Sequence, residues 1–87
     1  MHEVVVFSKE GCHLCERAIA TLNQLSRSYS LQIQIVDITR DSQLFEKYSL
    51  EIPVVWLDGR TVFRASDINA LDDIERELTT IIYNLAI

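Results

Sequence analysis

Two cysteines stand three apart in Cys12-His13-Leu14-Cys15, and they are the only two in the 87-residue chain. They follow the apolar run Val4-Val5-Val6-Phe7 and open a helical pattern. At such a strand-to-helix junction two thiols can close into a disulfide, and the start of the helix can hold the first as a reactive thiolate. Disulfide exchange needs the thiolate, and a free cysteine titrates at about 8.5, so most of it is protonated near neutrality. Unpaired backbone N–H groups and the positive end of the helix dipole favour negative charge at the first turn. Cys12 is therefore the candidate nucleophile. Cys15, one turn into the helix, is expected to be more buried and to act as the resolving thiol.

Lys9 and His13 can add positive charge beside Cys12, although both can equally be solvated loop residues. Cys-x-x-Cys also occurs in zinc and iron–sulfur sites. A structural zinc site normally takes four protein ligands, and only His2 and His13 are available to supplement the thiols. His13 lies between them with poor geometry for the same ion, so no metal site is expected in one chain. Metal binding and a redox-silent docking module remain as alternatives to the redox reading. His2 reads as a solvated terminal residue.

Net charge is −5, with hydrophobic residues at 48% and charged residues at 24%, an ordinary globular balance. The eight basic residues are scattered, and with an acidic balance no nucleic-acid partner is expected. No segment approaches the roughly 20 apolar residues of a membrane span, and Met1-His2-Glu3 lacks the basic start of a signal peptide. A cytoplasmic location with no membrane contact is expected. In a reducing compartment this cysteine spacing favours chemistry over a permanent bridge.

The elements that must position the cysteines can be read along the chain. Val4 to Phe7 has the continuous apolar character of a strand buried on both faces. Ser8 to Gly11 is a short loop, and Leu14, Ala18, Leu22 and Leu25 form one face of a helix. Leu31-Gln32-Ile33-Gln34-Ile35 alternates and continues into Val36 as a second strand. Asp41 and Ser42 can cap a short helix that turns Leu44, Phe45 and Tyr48 inward. The strand Val54-Val55-Trp56-Leu57 follows, then Asp58-Gly59 as a hairpin turn into Thr61-Val62-Phe63. Ser66 can cap a last helix, with Asp67 in its first turn and an apolar stripe of Ile68, Leu71, Ile74, Leu78, Ile81 or Ile82, and Leu85. The first strand–helix–strand unit should be parallel with a right-handed crossover. The expectation is one domain over residues 1–87, of α/β (mixed-sheet α+β) class. Its order is β-α-β-α-β-β-α, with a four-stranded mixed sheet flanked by helices.

At this level the chain resembles a known family. Phe7-Ser8-Lys9-Glu10-Gly11-Cys12-His13-Leu14-Cys15 is similar to the active-site segment of glutaredoxins, and Ile52-Pro53 before the third strand is similar to the cis-proline of the thioredoxin superfamily. The resemblance spans essentially the whole chain and is nearest to short glutaredoxin-like proteins with Cys-x-Leu-Cys and a Glu-Ile-Pro-Val segment. It implies a thioredoxin fold and a thiol:disulfide oxidoreductase with no bound cofactor. Glutathione or a thioredoxin-type reductant would be the electron donor, and disulfide-containing proteins or glutathione mixed disulfides the partners. It also implies a cis bond at Pro53, a substrate strand pairing with the backbone of Ile52, electrostatic roles for Lys9 and His13, and a monomer. Classical glutaredoxins place a Gly-Gly pair and an acidic residue after the last strand to grip glutathione. Here Val62-Phe63-Arg64-Ala65-Ser66-Asp67 stands instead, which argues against close backbone approach by glutathione. Ser66 and Asp67 can still hold a carboxylate or amine at the helix start, or serve as plain caps. The aromatic residue common between the cysteines of classical glutaredoxins is absent.

Overall fold

In the computed structural model, which describes residues 1–67 and 73–86, four strands and three α-helices follow one another in the expected order. Strand β1 (His2–Ser8) leads into α1 (His13–Leu25), then β2 (Leu31–Asp37), α2 (Ser42–Tyr48), β3 (Val54–Leu57), β4 (Arg60–Arg64) and α3 (Ile74–Leu85). The sheet order is β2-β1-β3-β4. β1 pairs parallel with β2, while β3 runs antiparallel to both β1 and β4. The sheet is therefore mixed, and its central strands are β1 and β3.

The apolar run of β1 is shared between two helical layers because successive side chains in a strand point to opposite faces. Val4 and Val6 join Ala18 and Leu22 of α1, Val55, Leu57 and Phe63 of the sheet, and Ile74, Leu78, Ile82 and Ala86 in the larger core. On the opposite face Phe7 meets Ile38, Tyr48 and Val54, with Val5, Leu44, Ile52 and Trp56 packed around them. Phe7 stacks on Tyr48 at 4.8 Å between ring centroids and meets Trp56 edge-on at 4.9 Å, arrangements that aromatic quadrupoles favour. Trp56 thus belongs to the packing, although its buried Nε1 has no hydrogen-bond partner among the described residues.

The hairpin turn is as its residues require. Asp58 (φ 51°) and Gly59 (φ 83°) both take positive φ, which a two-residue turn matched to strand twist demands and which Asp-Gly tolerates. The turn is also tied to the first strand, since Asp58 Oδ1 accepts the Glu3 N–H at 2.9 Å and Asp58 Oδ2 lies 2.6 Å from His2 Nδ1. These bonds, His2 first, hold the Asp58 carboxyl below its usual range.

Three expectations need correction. Ser66 does not cap the last helix: it sits in a 3₁₀ turn, Ala65–Asp67, and α3 begins at Ile74 behind Asp73, which makes no side-chain cap bond. The stripe positions Ile68 and Leu71 lie outside the described residues. At the other end of the stripe Leu85 is 53% exposed, and Ala86 is buried in its place. Phe45 is 43% exposed rather than inward, because a seven-residue helix lying on a sheet buries only one narrow face, here Leu44 and Tyr48. The cap itself is as expected, with Asp41 accepting the Gln43 and Leu44 N–H groups. The 3₁₀ turn Ile38–Arg40, which carries the fully buried Ile38, carries no periodicity in the sequence; the Asp37 side chain starts it by accepting the Thr39 N–H at 2.9 Å.

One ion pair joins two helices. Arg17 of α1 donates to Glu75 of α3 through Nε (2.8 Å) and Nη2 (2.7 Å), the bidentate geometry that suits guanidinium and carboxylate. The hydrogen bonds from Arg17 hold the Glu75 carboxyl well below its ordinary value, at about 2.

Two predictions follow from this packing. Leu22→Ala should cost about 2–5 kcal/mol of unfolding free energy by urea titration, while Leu50→Ala, at a site 93% exposed, should stay within about 0.5 kcal/mol of the parent. Glu75 has a depressed folded-state pKa, so its stabilisation is complete above its ordinary value of 4.5 and is lost as pH falls towards about 2. In Glu75→Gln the acid limb of a stability–pH profile should flatten over that window, and an unchanged limb would show that the pair contributes nothing.

Candidate functional site

All four strand directions deliver chain to one edge of the sheet. β1 and β2 run towards it, β3 starts there, and β4 returns to it. The segment after Ser8, the 3₁₀ turn after Asp37, the segment before Val54 and the turn after Arg64 therefore meet at the edge where α1 begins. Phe7 stands opposite Val54, so Pro53 continues the β3 register beside Ser8, and the cysteine segment lies next to Ile52-Pro53 although 40 residues separate them in sequence.

Gly11, at φ 81°, turns the chain out of β1. A side chain there would meet nothing within 4 Å, so it is the left-handed backbone and not crowding that calls for glycine. Cys12 follows as the N-cap of α1 in extended conformation, and its Sγ accepts the Cys15 N–H at 3.2 Å. The cysteine thus occupies the place where serine or aspartate usually satisfies the first free N–H groups of a helix. Cys12 and Cys15 are at disulfide distance, with Cα atoms 5.2 Å apart, inside the range a disulfide spans. Cys12 is half-buried and Cys15 is 1% exposed, packed under the first turn of α1. The pair is asymmetric: Cys12 is partly exposed and Cys15 is buried.

The flanking residues divide. Lys9 is exposed, and His13 projects into solvent with its Nδ1 3.8 Å from Glu16. Among the described residues no group of three His, Cys, Asp or Glu is placed to hold a metal ion. Likewise, no helix of the described residues is long and apolar enough to cross a membrane.

Across the edge, the Ile52–Pro53 peptide is cis, Pro53 is buried and Ile52 is half-buried. Two groups hold this segment. The Ala65 N–H is shared between the carbonyls of Glu51 (3.2 Å) and Pro53 (3.1 Å). Arg64 reaches Glu51 through Nε at 3.3 Å and donates from Nη1 to Asp67 at 3.2 Å. Arg64 therefore links the stretch before the proline to the turn after β4. Asp67 is engaged by Arg64, and Ser66 is exposed in the same turn. A basic last residue of β4, spaced three before an acidic one, was the signal that could have found this link.

Residues 3–79 match the family described as Glutaredoxin-like domain (DUF836). The chain belongs to that family. None of the curated proteins matches the sequence. Among solved structures, the chain is similar to protein Ne2328 from Nitrosomonas europaea, with 25% identity, a TM-score of 0.66, and 90% of this chain and 89% of that one covered. It is also similar to protein XcR50 from X. campestris, at 30% identity over 72% of this chain and 85% of that one, with a TM-score of 0.58. The oxidised thioredoxin O2 from Arabidopsis thaliana shares the fold with a TM-score of 0.70 at 19% identity, covering 100% of this chain and 76% of that one. The chain is thus a glutaredoxin-like protein with a thioredoxin-like fold, and its cysteine pair lies where a strand gives way to a helix.

The burial asymmetry yields a direct test. In the reduced protein iodoacetamide should modify Cys12 well before Cys15, as read by peptide mapping at partial labelling, and equal labelling of the two would remove the distinction between attacking and resolving thiols.

Proposed function

We propose that this glutaredoxin-like chain is a thiol:disulfide oxidoreductase working through the Cys12/Cys15 dithiol. The observation that carries the proposal is that Cys12 is at once the helix N-cap, partly open to solvent, and at disulfide distance from a buried Cys15.

In the reductive direction, the Cys12 thiolate attacks one sulfur of a substrate disulfide. A Cys12–substrate S–S bond forms, the substrate S–S bond breaks, and the leaving sulfur takes the electron pair and then a proton. The Cys15 thiol gives up its proton, attacks Cys12 Sγ and closes the intramolecular disulfide, expelling the second substrate thiol. Two electrons have passed to the substrate and the protein is left oxidised. Glutathione or a thioredoxin-type dithiol returns the pair to the reduced state by the same exchange in reverse. No cofactor is needed for either half.

The proposed roles of the surrounding groups follow from the edge they share. The start of α1 stabilises the Cys12 thiolate, since the Cys15 N–H that faces its sulfur is a free helix donor. Lys9 and His13 tune that charge through space. The backbone at Ile52, ahead of Pro53, offers an extended substrate a strand to pair with, and Ile52 shields the exchanging sulfurs. Ser66 and Asp67 border the same surface. The substrates are disulfide-containing proteins or glutathione mixed disulfides, met by the chain as a monomer in the cytoplasm.

The test is a redox titration in glutathione buffers, followed by thiol trapping and intact mass. The expected result is a single two-electron step with loss of two hydrogens, at a midpoint within the roughly −270 to −120 mV of related proteins. Cys15→Ser should accumulate a mixed disulfide at Cys12, and Cys12→Ser should reduce disulfide reductase activity to the uncatalysed level. Absence of any disulfide across the titration would overturn the proposal.

A further inference from the structure

The surface around the cysteine pair also carries information about which disulfides fit it, and the following rests on the oxidoreductase reading above. Leu50 is 93% exposed, the most exposed large apolar residue in the described chain, and it stands two residues before Ile52 at the edge where Cys12 sits. Its exposure is imposed by the backbone, because the N–H groups of Glu51 and Ile52 both turn back to the Tyr48 carbonyl at 2.8 and 3.1 Å. Phe45, on the preceding helix, is 43% exposed.

The charge around this patch is mostly negative. Glu10, Glu16, Asp37, Asp41, Glu46, Glu51 and Asp67 lie on α2 and on the segments that converge at the edge, against the cations Lys9, Arg40, Lys47 and Arg64. Two of those cations are already committed within the protein. Arg64 lies between Glu51 and Asp67, and Arg40 is 3.8 Å from Asp37. Arg64 reaches the segment before Pro53, and its charge is answered from both sides by Glu51 and Asp67. A carboxylate-rich partner entering here meets a surplus of like charge, whereas a cationic one completes it.

We propose that the preferred substrates are disulfides in cationic protein segments that also carry an apolar side chain, and that glutathione disulfide, whose carboxylates outnumber its amines, is disfavoured. The apolar side chain covers Leu50 while basic residues on either side of the disulfide face Glu51, Asp67 and Glu10. The acidic edge speeds encounter, and burial of Leu50 slows release.

The experiment is a single-turnover reduction by stoichiometric pre-reduced protein, read by chromatography of the released thiols. Three substrates are compared: a small neutral disulfide, hydroxyethyl disulfide, and two peptides closed by an internal disulfide with one leucine beside it, differing only in lysines or glutamates as flanking residues. The lysine peptide should react at least about tenfold faster than the glutamate peptide at low salt, with the gap closing as ionic strength rises. The double variant Glu51→Gln, Asp67→Asn, which leaves the Arg64 charge unanswered, should narrow or invert that ratio. Leu50→Ser should slow both peptides by roughly tenfold at sub-saturating concentration. Reduction of all three substrates with equal peptide rates would overturn this inference and leave the oxidoreductase reading standing. Equal peptide rates in Leu50→Ser and the parent would remove the apolar anchor. Failure to reduce even hydroxyethyl disulfide would overturn both readings.

Discussion

The structure depends on β1 being buried on both faces. Val4 and Val6 are fully enclosed on one side, and Phe7 closes the other. In a strand the side-chain period is two, so a slip of one residue against β2 or β3 would carry every one of these groups to the wrong layer. The strand therefore has one register, and its last residue, Ser8, has one position. Everything reactive is measured from there. Four residues later Cys12 starts α1, and the helix it starts is itself locked by Ala18 and Leu22 beneath and by Arg17 clasping Glu75 alongside. A cysteine at the end of a loop is thereby held by two rigid elements rather than by the loop.

The cap bond links that rigidity to chemistry. A helix start leaves N–H groups without partners, and most proteins satisfy one of them with an oxygen. Here a sulfur does it, through the 3.2 Å bond from Cys15 N–H. The donor belongs to the residue that supplies the second thiol, so the same helical turn fixes the distance between the sulfurs and the field on the first one. When the pair is reduced, the donor already faces the atom that gains charge. Stabilisation of that kind requires no rearrangement at the moment of reaction, which is why a preorganised dipole counts for more than a mobile one.

How far the sequence discloses this arrangement depends on the range of the interaction. The Asp41 cap, the Asp58-Gly59 turn and the cysteine spacing are local, and each is legible because the residue types answer a backbone requirement a few positions away. The β1 run and the α1 face are legible because burial imposes a period. The start of α3 is not: Ser66 has the right chemistry for a cap, but Arg64 and Ala65 draw its turn into contact with Glu51 and Pro53, and tertiary bonds outweigh a local preference. The same holds for the Glu51–Arg64–Asp67 link and for Arg17–Glu75, which join residues 13 and 58 positions apart. No periodicity or turn rule reports such pairs. Phe45 failed for a different reason, because pattern reading assigns inward positions as if the helix had a wide groove to fill, and the α2 face of the sheet is narrow.

That narrow face also explains the surface beside the site. A helix of seven residues is too short to persist by itself, so α2 depends on the Asp41 cap and on Tyr48 stacked over Phe7. From Tyr48 the chain has five residues to reach Pro53 at the head of β3. It does so by folding the Glu51 and Ile52 N–H groups back onto one carbonyl, and the cost of that tight return is that Leu50 is turned outward. Exposing a leucine is unfavourable, but relieving it would require a longer α2 or a displaced Pro53, and either would move the segment that borders the cysteines. The constraint that brings the proline to the end of the sheet where α1 begins and the constraint that leaves Leu50 exposed are the same short connection. Fold geometry and exposed surface are in this way set together at the edge where the four strands deliver their ends.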